Sequence, residues 1–117
     1  ENNNLWVVYG GIKPQFAPNE PLGIKAGYSH FNGLLEEGKQ WVNKPYNLGF
    51  PALDLAHITI DPNTENKIYI SSWGSGLLVV ENDEPLTLWN DSNSDLEDLY
   101  PEGSPNTSIR INGSAFD

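Results

Sequence analysis

The sequence contains no cysteine and no methionine. Without cysteine there is no disulfide, no thiol chemistry and no thiolate-held zinc, although the compartment stays open. Without methionine, and with Glu1 first, the chain is expected to be a piece of a longer protein. Basic residues are scarce: six Lys and Arg stand against sixteen Asp and Glu, for a net charge of -10. Phosphate recognition needs clustered cations, so this balance speaks against a nucleic-acid partner and against an anionic lipid surface. No apolar run approaches the roughly 20 residues of a membrane helix, and none has the charged, apolar, small-residue order of a signal peptide. Helical periodicity is also missing, because nine prolines and eleven glycines interrupt every candidate stretch. Only His30 and His57 could offer imidazole, and their placement suggests no shared metal, so neither a metal nor any other cofactor is expected.

What is present is strand material that repeats. The apolar residues gather in short runs of Leu, Ile, Val, Trp and Tyr. Asn4 to Tyr9 reads like Lys67 to Ser72, Gly27 to Phe31 like Gly76 to Val80, Gln40 to Asn43 like Leu88 to Asp91, and His57 to Asp61 like Ser108 to Asn112. Tyr28 and Leu77, Trp41 and Trp89, and Ile58 and Ile109 lie 49, 48 and 51 residues apart. Only the first pair of runs breaks this period, through an insertion from Ile12 to Ala26 in the first copy. A fixed period of about 40 to 50 residues with four short strands per unit is the mark of propeller blades.

The chain is therefore expected to be an all-β protein, a β-propeller fragment of about two blades, each a four-stranded antiparallel meander. Residues 1–56 form a partial blade with the inserted loop 12–26 and an interblade linker. Residues 57–107 form a complete blade with its linker, and 108–117 begin the next. The complete blade has strands at Ile58 to Asp61, Ile68 to Ser72, Leu77 to Glu81 and Leu86 to Asn90, with Asp61-Pro62-Asn63 and Asn82-Asp83-Glu84-Pro85 as turns. A small sandwich also shows short strands at such spacing, but it does not call for a fifty-residue self-similarity. Open strand edges predict that the chain self-associates.

Ile58-Thr59-Ile60-Asp61-Pro62, followed by Ile68-Tyr69-Ile70-Ser71-Ser72-Trp73-Gly74-Ser75-Gly76-Leu77, resembles the blade of two-component-regulator propellers. Asn90 to Leu96 is similar to that family's closing Asn-Ser-x-Leu. More narrowly, the run from Leu5 to Asp117 resembles the propeller of PorZ-like proteins of the type IX secretion system of Bacteroidota. The first copy departs from the pattern, with Tyr9-Gly10-Gly11 and the insertion where Ser72-Trp73-Gly74 leads on directly. The resemblance implies an extracytoplasmic place at the cell surface or outer membrane, protein partners, and recognition of an anionic lipopolysaccharide. It implies a non-catalytic role. The other large branch of the family implies a periplasmic sensor of oligosaccharides instead.

Long loops on a rigid scaffold are where recognition concentrates. The insertion 12–26 and the connections 44–56 and 91–107 should emerge on one side of the blades and carry Lys13, Phe16, Lys25, Lys44, Tyr46, Phe50 and Tyr100. Aromatic rings with a few cations stack on sugars or anchor a partner protein, or they simply pin the loops to the blade edges. Trp73, beside the glycines of a strand turn, is a further candidate for ligand or partner contact. Trp41 and Trp89 are expected at equivalent places in the outermost strands, packing between repeats. Asp91-x-Asn93-x-Asp95 lacks the glycine a calcium loop needs at its sixth position, where Leu96 stands, and reads as an acidic linker. Gly74-Ser75-Gly76 is not a nucleophile elbow, and Glu36-Glu37 and Asp83-Glu84 read as solvated turns, so no catalytic residue is assigned.

Overall fold

The computed structural model describes residues 3–11 and 22–117, and all regular structure among them is strand. In chain order these are β1 Asn4–Val8, β2 Tyr28–Asn32, β3 Trp41–Lys44, β4 Leu55–Ile60, β5 Lys67–Gly74, β6 Gly76–Glu81, β7 Glu84–Trp89 and β8 Ile109–Arg110. They form two antiparallel sheets. One is β1-β2-β3; the other has five strands, with β4-β5-β6-β7 as a meander and β8 paired to the end of β5.

Local chemistry explains these elements. β5 and β6 are rich in β-branched and large apolar residues, and alternation turns Ile68, Ile70, Leu78 and Val80 to one buried face. The β4–β5 turn is closed by the Asp61 carboxylate, which accepts from Asn63 N at 2.8 Å and Thr64 N at 3.1 Å. Asn82 and Asp83 connect β6 to β7 with φ of 50° and 68°, a two-residue hairpin of the type that matches strand twist. β7 accordingly starts at Glu84, two residues before the expected Leu86. Pro85 is tolerated within it because β7 is an edge strand and a bulge falls at Val79/Val80.

The two sheets share a local device. Gly27 (φ 76°) precedes Tyr28, which pairs with Lys44; Gly76 (φ 104°) precedes Leu77, which pairs with Trp89. A Cβ on Gly27 would lie 2.0 Å from the Lys44 carbonyl oxygen, and one on Gly76 2.0 Å from that of Trp89. Only glycine fits either place. Val8 faces Tyr28 as Ser71 faces Leu77, so Leu5 to Val8 correspond to Ile68 to Ser71. The same register corrects the tryptophan equivalence. Trp41 opposes Phe31 at the start of β3, whereas Trp89 opposes Leu77 at the end of β7, so the counterpart of Trp89 is Lys44. Unequal hairpins, 33–40 against 82–83, and the bulge displace the sequence alignment along this strand.

The sheets pack face to face over a core of Tyr28, Ala52, Leu55, Ile68, Ile70, Leu78, Val80 and Leu88, with Trp6, Val8, Phe50 and Ile58 against it. Each such aliphatic side chain contributes about 1.5–3 kcal/mol by leaving water. Unlike faces meet. The first sheet presents Trp6, Val8 and Tyr28, whose counterparts Tyr69, Ser71 and Leu77 lie on the far face of the second sheet. That far face is met by the chain's tail: the Phe116 ring sits edge-on to Tyr69 at 5.4 Å, and Thr59 Oγ1 donates to Ser114 O at 2.7 Å.

Asp54, fully buried with φ 49°, ties the first sheet's loop to the start of β4. Its carboxylate accepts from Gly23 N at 2.6 Å and Ile24 N at 2.9 Å. Its carbonyl accepts from Trp73 N at 3.0 Å, while the next carbonyl, that of Leu55, accepts from Gly10 N at 2.8 Å. The start of β4 thus touches β1 along one edge and β5 along the other.

Candidate binding cleft

A cleft of about 480 Å³ opens between the sheets, lined by Gly27, Tyr28, the run 44–48, Phe50, Ala52, Leu55, Leu78, Glu84 and Pro85. Its floor is core: Ala52, Leu55 and Leu78 are buried. One wall is the connection from β3 to β4, which turns tightly because Asn47 accepts from Phe50 N at its carbonyl (3.0 Å) and from Gly49 N at its side chain (2.8 Å). That turn drives Phe50 inward and leaves Leu48 85% exposed at the lip. The facing wall is the β6–β7 hairpin.

Two polar side chains of the cleft reach across it, Tyr28 and Lys44. Tyr28 Oη donates to Asp83 O at 3.0 Å. Burial pushes the pKa of this phenol far above its ordinary value, and the Glu84 and Asp83 carboxylates push in the same direction, so it stays a neutral donor. Lys44 Nζ is ion-paired with Glu84 across the two sheets. Lys25 Nζ lies 5.4 Å from the Tyr46 ring centroid, within cation–π range. Beside the cleft, His30 is buried and stacks on Trp6 at 3.8 Å with ring planes 4° apart. Its Nδ1 is 2.7 Å from Asp83 Oδ1 and its Nε2 2.8 Å from Asn4 Oδ1, which clamps the hairpin to the first sheet.

Of the residues singled out in the sequence, Tyr46 and Phe50 line this cleft together with Lys44, and Lys25 joins through Tyr46. Trp73 lies apart, at the end of β5, with the Arg110 guanidinium 5.8 Å from its ring. Tyr100 also lies apart, because the 91–107 connection folds on itself: Asp98 Oδ1 accepts from Tyr100 N at 2.9 Å and from Ser108 N at 2.8 Å. Lys13 and Phe16 lie outside the described residues. Sequence reasoning missed Tyr28, Leu48, Glu84 and Pro85. The antiparallel run of successive strands set the β6–β7 turn on the opposite side from the long connections, yet the packing of one sheet on the other brings that turn to the same cleft.

A concave surface with the apolar floor of Ala52, Leu55 and Leu78 suits an inserted apolar group. Among the described residues no group of three or more His, Cys, Asp or Glu is placed to hold a metal ion, and no helix is long and apolar enough to cross a membrane. Compared with protein families, curated proteins and solved structures, the chain matches none.

Proposed function

We propose that this chain is a β-propeller module of about two blades, from an extracytoplasmic bacterial protein, that binds partner proteins without catalysis. The observation that carries this reading is the stacking of unlike faces. Two sheets of a closed sandwich bury their faces against each other and stop, whereas repeats that set the front of one on the back of the next can continue, as blades do. The matched glycines Gly27 and Gly76 support the same unit twice. The resemblance to PorZ-like components of type IX secretion supports a cell-surface or outer-membrane setting.

The cleft favours an apolar protein anchor over an anionic glycan. A glycan needs free donors, and the Lys44 ammonium and the Tyr28 hydroxyl are engaged. The test uses the chain as bait on an outer-membrane and surface extract, beside a glycan array that includes lipopolysaccharides. The expected result is a captured surface protein that Leu48→Asp weakens at least about 30-fold, the loss of one interface anchor worth about 2 kcal/mol, with the array blank. An array that lights up with oligosaccharides, while Leu48→Asp changes nothing, would replace this reading by the sensor alternative.

A further inference from the structure

We infer that the end of the second sheet holds a further binding site, built on Arg110, for the carboxylate at a peptide's C-terminus with Lys or Arg close before it. This site is separate from the cleft and goes beyond the reading above.

A hollow of about 510 Å³ lies where the 91–107 connection meets β8, and Arg110 lines it with Leu22, Tyr100, Asn106, Thr107 and Ser108. Among the described residues that line it, none is Asp or Glu. In a chain with sixteen carboxylates and a net charge of -10, such a place favours an anion from outside.

Arg110 is the one arginine of the sequence, and its position is fixed. β8 pairs it with Trp73, and the next N–H, that of Ile111, donates to Ser72 O at 3.0 Å. Ser108, buried two residues earlier, gives its N–H to Asp98 Oδ1 and accepts from Arg110 Nε at its Oγ, 3.1 Å away. The guanidinium is thereby oriented, with its carbon 5.8 Å from the Trp73 ring centroid. Only Nε is engaged in a hydrogen bond. The ion pairs of the described residues are His30–Asp83, Lys39–Glu36 and Lys44–Glu84, and none of them uses Arg110. The Nη edge is left as a planar fork of donors without an acceptor among the described residues, which is the geometry that grips both oxygens of a carboxylate.

The surroundings decide what carries that carboxylate. On the other side of the same connection a hollow of about 410 Å³ shares Tyr100, Asn106 and Thr107 with the first, and its wall holds Asp91, Glu97, Asp98 and Glu102. Repulsion from these acids reaches about 8 Å at physiological salt, so a polyanion is turned away. A single carboxylate with a cation one or two residues behind it satisfies both hollows at once. Exposed Tyr100 and Leu22 offer apolar surface to the last side chain, and Asn106 and Thr107 set an amide and a hydroxyl at the shared rim. A peptide terminus carries these groups in this order, whereas a sugar acid brings the anion without the cation.

The experiment is an NMR titration of the full ¹⁵N-labelled chain with an acetylated peptide ending in Gly-Lys-Leu, as the free acid and as the C-terminal amide, beside the analogue with Glu in place of Lys and beside glucuronate. The free acid should move the Arg110 Nε–H and the Asn106 and Thr107 amides. The amide should bind at least about 10-fold more weakly, the loss of one charge-assisted hydrogen-bonded pair. This comparison uses wild type alone, so it needs no variant to fold. The Glu analogue should also weaken, Arg110→Gln should lose as much as the amide does, and Arg110→Lys should fall between, since a point charge replaces the fork. Leu48→Asp should bind the peptide like wild type. Equal binding of acid and amide, an Arg110→Gln variant that binds like wild type, glucuronate that matches the peptide, or loss of the peptide with Leu48→Asp would each overturn the inference. A surface protein captured through Leu48 from a chain that ignores the peptide would end this inference and leave the proposed function standing.

Discussion

Alanine at Gly27 tests the shared device most directly. An L-residue forced to left-handed φ costs roughly 1–2 kcal/mol. At Gly27 the new methyl would also sit 2.0 Å from the Lys44 carbonyl oxygen and 2.8 Å from the Pro45 carbonyl carbon, both backbone. Relief requires moving the end of β3, and overpacking of that sort adds about 1–3 kcal/mol. Gly38 supplies the control: its φ is 86°, but nothing lies within 4 Å of an added Cβ. Urea unfolding followed by tryptophan fluorescence should therefore give a loss of about 1–2 kcal/mol for Gly38→Ala and about 2–5 kcal/mol for Gly27→Ala and for Gly76→Ala. Against a total stability of about 5–15 kcal/mol, either of the larger losses is a major fraction. Gly27 is crowded by Lys44 and Pro45 and Gly76 by Trp89 and Asn90, so the double variant should come within about 0.5 kcal/mol of the sum. Equal costs at Gly38 and Gly27 would mean that the carbonyl contact is absent, and with it the local identity of the two sheets.

Asp54→Asn keeps the shape but turns an amide N–H₂ toward a backbone donor at Gly23 or Ile24; a loss of about 1.5–3 kcal/mol in urea unfolding is expected, and a neutral result would deny the buried clamp. His30→Phe should keep the stack on Trp6 yet leave Asp83 and Asn4 without the imidazole, costing about 1–3 kcal/mol, and a double-mutant cycle with Asp83→Ala should recover most of it. Tyr28 predicts a pH dependence. Its folded pKa is raised, so its contribution is complete below the unfolded value of about 10 and fades as pH climbs past it. Alkaline melting curves should thus fall more steeply for wild type than for Tyr28→Phe, and parallel curves would contradict the buried phenol.

Strand positions were legible because each run states its own preference. Ile68-Tyr69-Ile70 and Leu77 to Val80 are β-rich between turn residues, and they appear as β5 and β6 with nearly the expected bounds. Register was less legible. Trp41 and Trp89 look equivalent in sequence because they lie 48 residues apart, close to the spacing of the other matched runs, but hairpin length and a bulge decide what each opposes. Of the cleft, Tyr46 and Phe50 could be found from loop composition, since aromatics in a long connection stand out. Tyr28 could not, because it reads as an ordinary strand residue until a second sheet lies across it.

By itself, the order of residues determined that the regular structure of the described residues is all strand, and where the turns fall. Those are properties of neighbours along the chain, governed by backbone preferences and alternation. Tertiary structure alone decided which faces meet, that Asp83 and Glu84 reach Tyr28, His30 and Lys44, and that an apolar cleft opens where they do. Such contacts join residues some 40 to 55 positions apart, and only the packing of one twisted sheet on another sets their distance.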